Sequence, residues 1–147
     1  MIALGCDHGG FLLKNAIKNY FDEKNIKYKD FGTDEVENSV DYPKYAYLVA
    51  KSVANGECEK GILFCIGVSI AANKVSGIRA AVCQDEFSTE MTRRHNDANV
   101  LCLGGRVIDE NKAISLANIF LNTPFDRGRH YWRVLQIEQI EKGTFKI

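Results

Sequence analysis

The sequence lacks any apolar run of roughly eighteen residues, the length a membrane-spanning helix needs, so no span is expected. It lacks an excess of either charge: Lys plus Arg number 19 and Asp plus Glu number 19. That balance gives no electrostatic reason to bind nucleic acid or an anionic membrane, and no nucleic-acid motif is present. The opening Met1-Ile2-Ala3-Leu4-Gly5-Cys6 has no basic leader and too short an apolar run for a secretory signal. No two of the five cysteines show C-x-x-C spacing, and the three histidines are scattered, so no structural zinc site is expected. An odd cysteine count, mostly in apolar runs, favours reduced thiols in a cytoplasmic protein over a disulfide scaffold.

What is present is enough apolar material for a core. Hydrophobic residues make up 46% of 147 residues, which suits one domain of ordinary size. No repeat or linker divides the chain, so residues 1–147 read as a single domain. Short apolar runs alternate with longer helical patterns. Strands are predicted at Ile2 to Cys6, Ile26 to Phe31, Gly61 to Cys65, Arg79 to Cys83 and Asn99 to Leu103. Helices are predicted from Phe11 to Phe21, from Tyr42-Pro43 to Val53, around Ser69 to Lys74, at Phe87 to His95, at Ile108 to Leu121 and at Arg129 to Lys142. Gly32 to Asp41 is polar and reads as a loop. This alternation implies an α/β fold with a mostly parallel sheet and helices on both faces.

In such folds ligands bind beyond the carboxyl ends of the strands. Asp7-His8 falls just past the first strand, Cys65 at the end of the third, and Gly104-Gly105-Arg106 past the fifth. The topology puts them on one edge. His8, at a turn, could hold an anion or shuttle a proton, and Asp7 could orient a ligand hydroxyl or simply cap the turn. A helix start near Gly67 to Ile70 would favour a thiolate at Cys65, although apolar strands also bury inert cysteines. His95-Asn96 could hold a sugar ring or be a solvated helix end. Arg129 and Arg133 share a helix face at an end where cations gain nothing from the dipole. They suit a bound phosphate, with Arg106 as an addition, or a surface ion pair.

Together these pieces resemble the ribose 5-phosphate isomerase B family, which includes galactose 6-phosphate isomerase subunits and an allose 6-phosphate isomerase. The resemblance covers nearly the whole chain. Its marks are Gly5-Cys6-Asp7-His8-Gly9-Gly10, Asp41-Tyr42-Pro43, Ser69-Ile70-Ala71-Ala72-Asn73-Lys74, Gly77-Ile78-Arg79-Ala80-Ala81, Arg94-His95-Asn96-Asp97, Gly104-Gly105-Arg106-Val107 and Gly128-Arg129-His130. It implies a Rossmann-like three-layer α/β/α sandwich with a five-stranded parallel sheet. It implies a phosphorylated sugar substrate, no metal, no organic cofactor, and a homodimer with shared active sites, sometimes paired into tetramers. The C-terminal helix from about residue 129 would then pack at a subunit interface.

Carried over residue by residue, the resemblance makes Cys65 the base and His95 the ring-opening histidine. Asp7 and Asn96 would contact the sugar, with Asp7 assisting ring opening. His8, Arg129 and Arg133 would grip the phosphate, with Arg106 beside them, and backbone N–H groups around Gly67 and Ser69 would face the substrate oxygen. His95, Asn96 and the arginines of the last helix would come from the partner subunit. Members without the cysteine use an acidic residue further along, and Ile70-Ala71-Ala72-Asn73 contains none.

One departure stands out. The family pattern runs Cys-Gly-Thr-Gly, then an apolar residue and Gly, before the Ser-Ile-Ala-Ala-Asn run. Here Cys65-Ile66-Gly67-Val68-Ser69 has no Gly-Thr-Gly triplet. The implied reaction is reversible isomerisation of ribose 5-phosphate and ribulose 5-phosphate through an enediolate. The alternatives are a six-carbon sugar-phosphate isomerase (allose or galactose 6-phosphate) and, given the shortened loop, a sugar-phosphate-binding protein without catalysis.

Overall fold

Four short, mostly apolar segments and one polar edge segment, Tyr28–Asp30, pair into one sheet. The computed structural model describes residues 1–34 and 36–147. Strands β1 (Ile2–Cys6), β2 (Tyr28–Asp30), β3 (Lys60–Phe64), β4 (Ala80–Val82) and β5 (Val100–Cys102) form a five-stranded sheet in the order β2-β1-β3-β5-β4. Every pairing is parallel. Between them run helices α1 (Phe11–Glu23), α2 (Tyr42–Ala54), α3 (Val68–Ala72), α4 (Glu86–Asn96), α5 (Glu110–Asn122) and α6 (Arg129–Glu141). This is the Rossmann-like three-layer α/β/α sandwich the sequence led us to expect.

Side-chain alternation along the strands builds two cores. Leu4, Ile62, Phe64, Leu101 and Leu103 pack with Leu13, Ile17 and Phe21 of α1 and Leu116 and Phe120 of α5. Ala3, Leu63, Val100 and Cys102 face the other way, onto Ala46, Val49 and Val53 of α2 and Val68 and Ala72 of α3. Helix α6 lies outside these layers, against α4.

The boundaries differ from expectation where local chemistry intervenes. The second strand shrinks to Tyr28–Asp30, because the Asp30 carboxylate accepts from the Gly32 amide and turns the chain. Helix α5 starts at Glu110 instead of Ile108, since Asp109 caps it by accepting from the Lys112 amide at 2.8 Å. Asp85 does the same for α4, accepting from Ser88 at 2.8 Å. The helix expected at Ser69 to Lys74 is α3, shifted toward Cys65 and confined to Val68–Ala72. The expected loop from Gly32 to Asp41 contains Glu35, which lies outside the described residues.

Lys14, a charged residue of α1, is fully buried. Its ammonium donates to the Thr33 carbonyl at 2.9 Å and lies 3.0 Å from Asp30 and 3.4 Å from Asp34. Desolvation pushes the Asp30 carboxyl up, but Lys18, the Gly32 amide and Lys14 together hold it below its ordinary range. The buried ammonium thus ties α1 to the start of the loop that runs toward His8.

Candidate active site

Strand order reverses at β1 and β3: the chain moves from β1 outward to β2, then returns to place β3 on the other side. A crevice must open at that switch point, beyond the carboxyl ends of both strands. A cavity of about 320 Å³ lies there, lined by Asp7 and His8 after β1, Cys65 and Ile66 after β3, and Gly105, Arg106 and Val107 after β5.

Its floor is made of main chain. The 3₁₀ turn His8–Gly10 follows β1, and Asp7 Oδ1 accepts from the amides of Gly9 at 3.0 Å and Gly10 at 3.2 Å. A Cβ on Gly10 would lie 1.9 Å from the Phe64 carbonyl oxygen, and one on Gly105 would lie 2.5 Å from the Gly9 carbonyl oxygen. Both positions therefore exclude any side chain. The Arg106 guanidinium lies over Gly9, within 3.6 Å of where a Cβ would be. His8 Nδ1 accepts from the Val40 amide at 3.5 Å, which leaves the proton on Nε2 as a donor to a ligand.

Cys65 is half-buried, and its thiol meets the Asp7 carboxylate. Burial raises its pKa first, and Asp7 adds to this by charge and by accepting the thiol proton. The amides of Gly67 and Ile66 pull the other way and lose. The expectation that the helix start would favour a thiolate is corrected: burial, with the Asp7 carboxylate added to it, outweighs two amides. The other thiols are poorer candidates. Burial pushes Cys6 up to about 11 against the opposing charge of Lys14. Cys58, Cys83 and Cys102 are buried, although the sequence placed Cys58 in a polar turn.

Because the thiolate is the form that reacts, alkylation of Cys65 by iodoacetamide should accelerate with pH along a limb above the ordinary thiol range. Asp7→Asn removes the charge holding the proton and should move that limb to lower pH. A limb that stays put, or moves up, would show that Asp7 does not govern the thiol.

The loop after Cys65 is tight. The Ser69 amide and hydroxyl both donate to the Ile66 carbonyl, at 3.1 and 2.8 Å. Ser69 therefore has neither donor free, and Gly67 and Ile66 turn their amides on the sulfur. A Cβ on Gly67 would sit 3.1 Å from the Tyr42 ring. Tyr42 packs over this loop, a role the sequence did not reveal because Tyr42-Pro43 read only as a helix start.

The remaining residues lie elsewhere. His95 and Asn96 end α4, and the chain then passes through Asp97 (φ 49°) to Asn99, whose carbonyl accepts from Gly61 at the amino end of β3. They sit at the opposite edge of the sheet from Cys65, about 16 Å away along a five-residue strand. Asn96 lines a second hollow of about 480 Å³ with Arg79, Ile137 and Ile140. Arg129 and Arg133 are exposed on the first turns of α6, beside His130, whose ring stacks on His95 at 4.1 Å between centroids. Desolvation lowers the His130 pKa first, followed by the charges of His95, Arg129 and Arg133. The neighbouring arginines are structural: Arg93 bonds the Ala98 and Thr123 carbonyls and Asp97, and Arg94 pairs with Glu90 and Asp126. Among the described residues, no helix is long and apolar enough to cross a membrane.

The fold and the cavity define an α/β protein that presents a thiol, a carboxylate, an imidazole and a guanidinium to a small polar ligand at its switch point. The family described as Ribose/Galactose Isomerase matches residues 2–137. Ribose-5-phosphate isomerase B of Escherichia coli (strain K12) is 45% identical over 144 residues, covering 96% of this chain and 96% of that protein. A solved ribose-5-phosphate isomerase B of Clostridium thermocellum is 46% identical, with a TM-score of 0.94 over 97% of each chain. That of Mycoplasma genitalium, solved with bound ribulose-5-phosphate, is 37% identical with a TM-score of 0.91, covering 96% of this chain and 95% of that one. The chain belongs to this family of sugar-phosphate isomerases.

Proposed function

We propose that this chain, as one domain spanning residues 1–147, interconverts ribose 5-phosphate and ribulose 5-phosphate. The observation that carries this reading is the Cys65 thiol beside Asp7 in the switch-point cavity. Cys65, as thiolate, removes the proton from C2, giving a cis-enediolate. The resulting thiol returns a proton to C1, and the O2 hydroxyl proton ends on O1. No redox partner enters, and both chain-borne protons are conserved. His95 assists ring opening before this step, Asn96 and Asp7 hold the sugar, and the phosphate stays with His8, Arg106, Arg129 and Arg133. Binding energy on the unreactive phosphate holds C1 and C2 against the sulfur.

One chain cannot do this alone, because His95, Asn96, Arg129 and Arg133 lie at the wrong edge of their own sheet. A second copy must bring them to the cavity, so the active form is a homodimer with shared sites, or a pair of such dimers. Exposed Trp132 (64%) and Ile140 (61%) give α6 the apolar surface such an interface needs.

The direct test is an isomerase assay on ribose 5-phosphate in D2O, read by loss of the C2 proton and deuterium entry at C1 of ribulose 5-phosphate. Binding without exchange would favour the non-catalytic alternative, and faster turnover of a six-carbon sugar phosphate would move the substrate assignment. Arg133→Ala should raise KM by roughly ten- to a hundredfold with a smaller change in kcat, the size of one lost charge-assisted contact. An unchanged KM would remove Arg133 from the phosphate grip.

A further inference from the structure

Three side chains converge where α4 ends and α6 begins. The ligating atoms of His95, Asp126 and His130 all lie within 4.8 Å of one another. The two imidazoles are stacked nearly parallel, 7° apart, so their ring nitrogens are presented side by side. Among the described residues, neither imidazole has a hydrogen-bond partner. His130 is only 8% exposed, yet no buried side-chain nitrogen or oxygen is left unpartnered, so its ring nitrogens reach the open side of the cluster. The third member is held from behind. Arg94 Nε donates to both Asp126 carboxylate oxygens, at 3.2 and 3.0 Å, and the Asp126 amide donates to the Arg94 carbonyl at 2.9 Å.

We propose that His95, Asp126 and His130 bind a divalent transition-metal ion, and that an ion held there takes His95 out of the isomerisation. The binding half stands on this geometry alone. The inhibitory half rests on the ring-opening role proposed for His95. The metal is an external inhibitor here, and the reaction proposed above does not use it.

Two imidazoles and one carboxylate suit zinc, nickel, cobalt or copper, and are poor ligands for magnesium or calcium. Three protein ligands leave a fourth position for water. A tetrahedral site with bonds of about 2.0–2.1 Å needs donors roughly 3.3 Å apart, so the side chains must close in by up to about 1.5 Å. The stacked rings can do this by rotating about χ1 and χ2. Arg129 and Arg133 place positive charge beside His130, and that charge opposes a dication. Asp126 is the only anion in the cluster that offsets it, so binding should depend steeply on that carboxylate.

The inhibition has a directional signature. Ribose 5-phosphate is cyclic in solution and needs its ring opened, whereas ribulose 5-phosphate is already open-chain. An ion on His95 should therefore suppress turnover of ribose 5-phosphate more than solvent exchange at C1 of ribulose 5-phosphate.

The test is cobalt titration of the full chain, followed by absorbance. The expected result is one ion per chain, with visible d–d bands and no thiolate charge-transfer band. Asp126→Asn and His130→Asn should each weaken binding at least tenfold. Asp126→Asn should also abolish cobalt inhibition while leaving cobalt-free turnover unchanged, since its amide oxygen can still accept from Arg94. Wild-type affinity in both variants, a thiolate band, or no binding at millimolar cobalt would overturn the site. Binding as expected without inhibition would leave the site standing and overturn the role given to His95.

Discussion

Replacing Cys65 with alanine should lower kcat by about 10²–10⁴-fold, the range for losing a positioned acid–base group. Substrate affinity should be largely retained. In the proposed mechanism Cys65 acts on the reacting carbons, whereas His8 and the arginines hold the phosphate, so the two functions separate. Deuterium exchange at C2 reads the chemical step, and calorimetry with ribose 5-phosphate reads binding. The replacement leaves no cavity in either core, because Cys65 is half-buried at a strand end instead of inside the sheet. Near-normal exchange in this variant would remove the thiol from the reaction and leave Asp7 and His8 as the cavity groups to test as base.

The second large effect should come from restoring the missing triplet. Inserting Gly-Thr-Gly between Cys65 and Ile66 should raise kcat by about 10²–10³-fold, the value of one oxyanion donor. The structure gives the reason. Ser69 spends its amide and hydroxyl on the Ile66 carbonyl, and the Gly67 and Ile66 amides turn toward sulfur. Few main-chain donors are then left for the oxygen that gains charge in the enediolate. The Tyr42 ring lies over Gly67, close enough that a Cβ there would sit 3.1 Å from it. Three extra residues would let the backbone curl so that its amides face the sugar. An insertion variant with unchanged kcat and intact binding would show that the short loop already supplies enough stabilisation.

Much of this was legible in the sequence, for identifiable reasons. Parallel strands announce themselves by short apolar runs with little alternation, and residues just past them converge on one edge whatever the detailed packing. Asp7, His8, Cys65 and Arg106 could therefore be grouped before any coordinates. Interactions between side chains distant in sequence were not legible. Only the fold brings Asp30 and the Thr33 carbonyl to the Lys14 ammonium. The protonation of Cys65 was misjudged because burial, and after it Asp7 from just past β1, raises its pKa, and neither shows in the residues next to it. Arg93 looked like a helix-end cation and is a buried brace between α4 and the Thr123 carbonyl. His130 lay outside the site residues because its stacking on His95 depends on how α6 docks on α4.

The glycine floor bears on how such an enzyme could change substrate. Where Gly10 meets Phe64 and Gly105 meets Gly9, peptide units touch directly, and no side chain remains to trim. Depth is thus a fixed property of the scaffold. Engineering toward longer sugars would have to work at the cavity's mouth, at Ile66, Arg106 and Val107, and mutant libraries aimed at the base of the crevice would yield mainly unfolded chains.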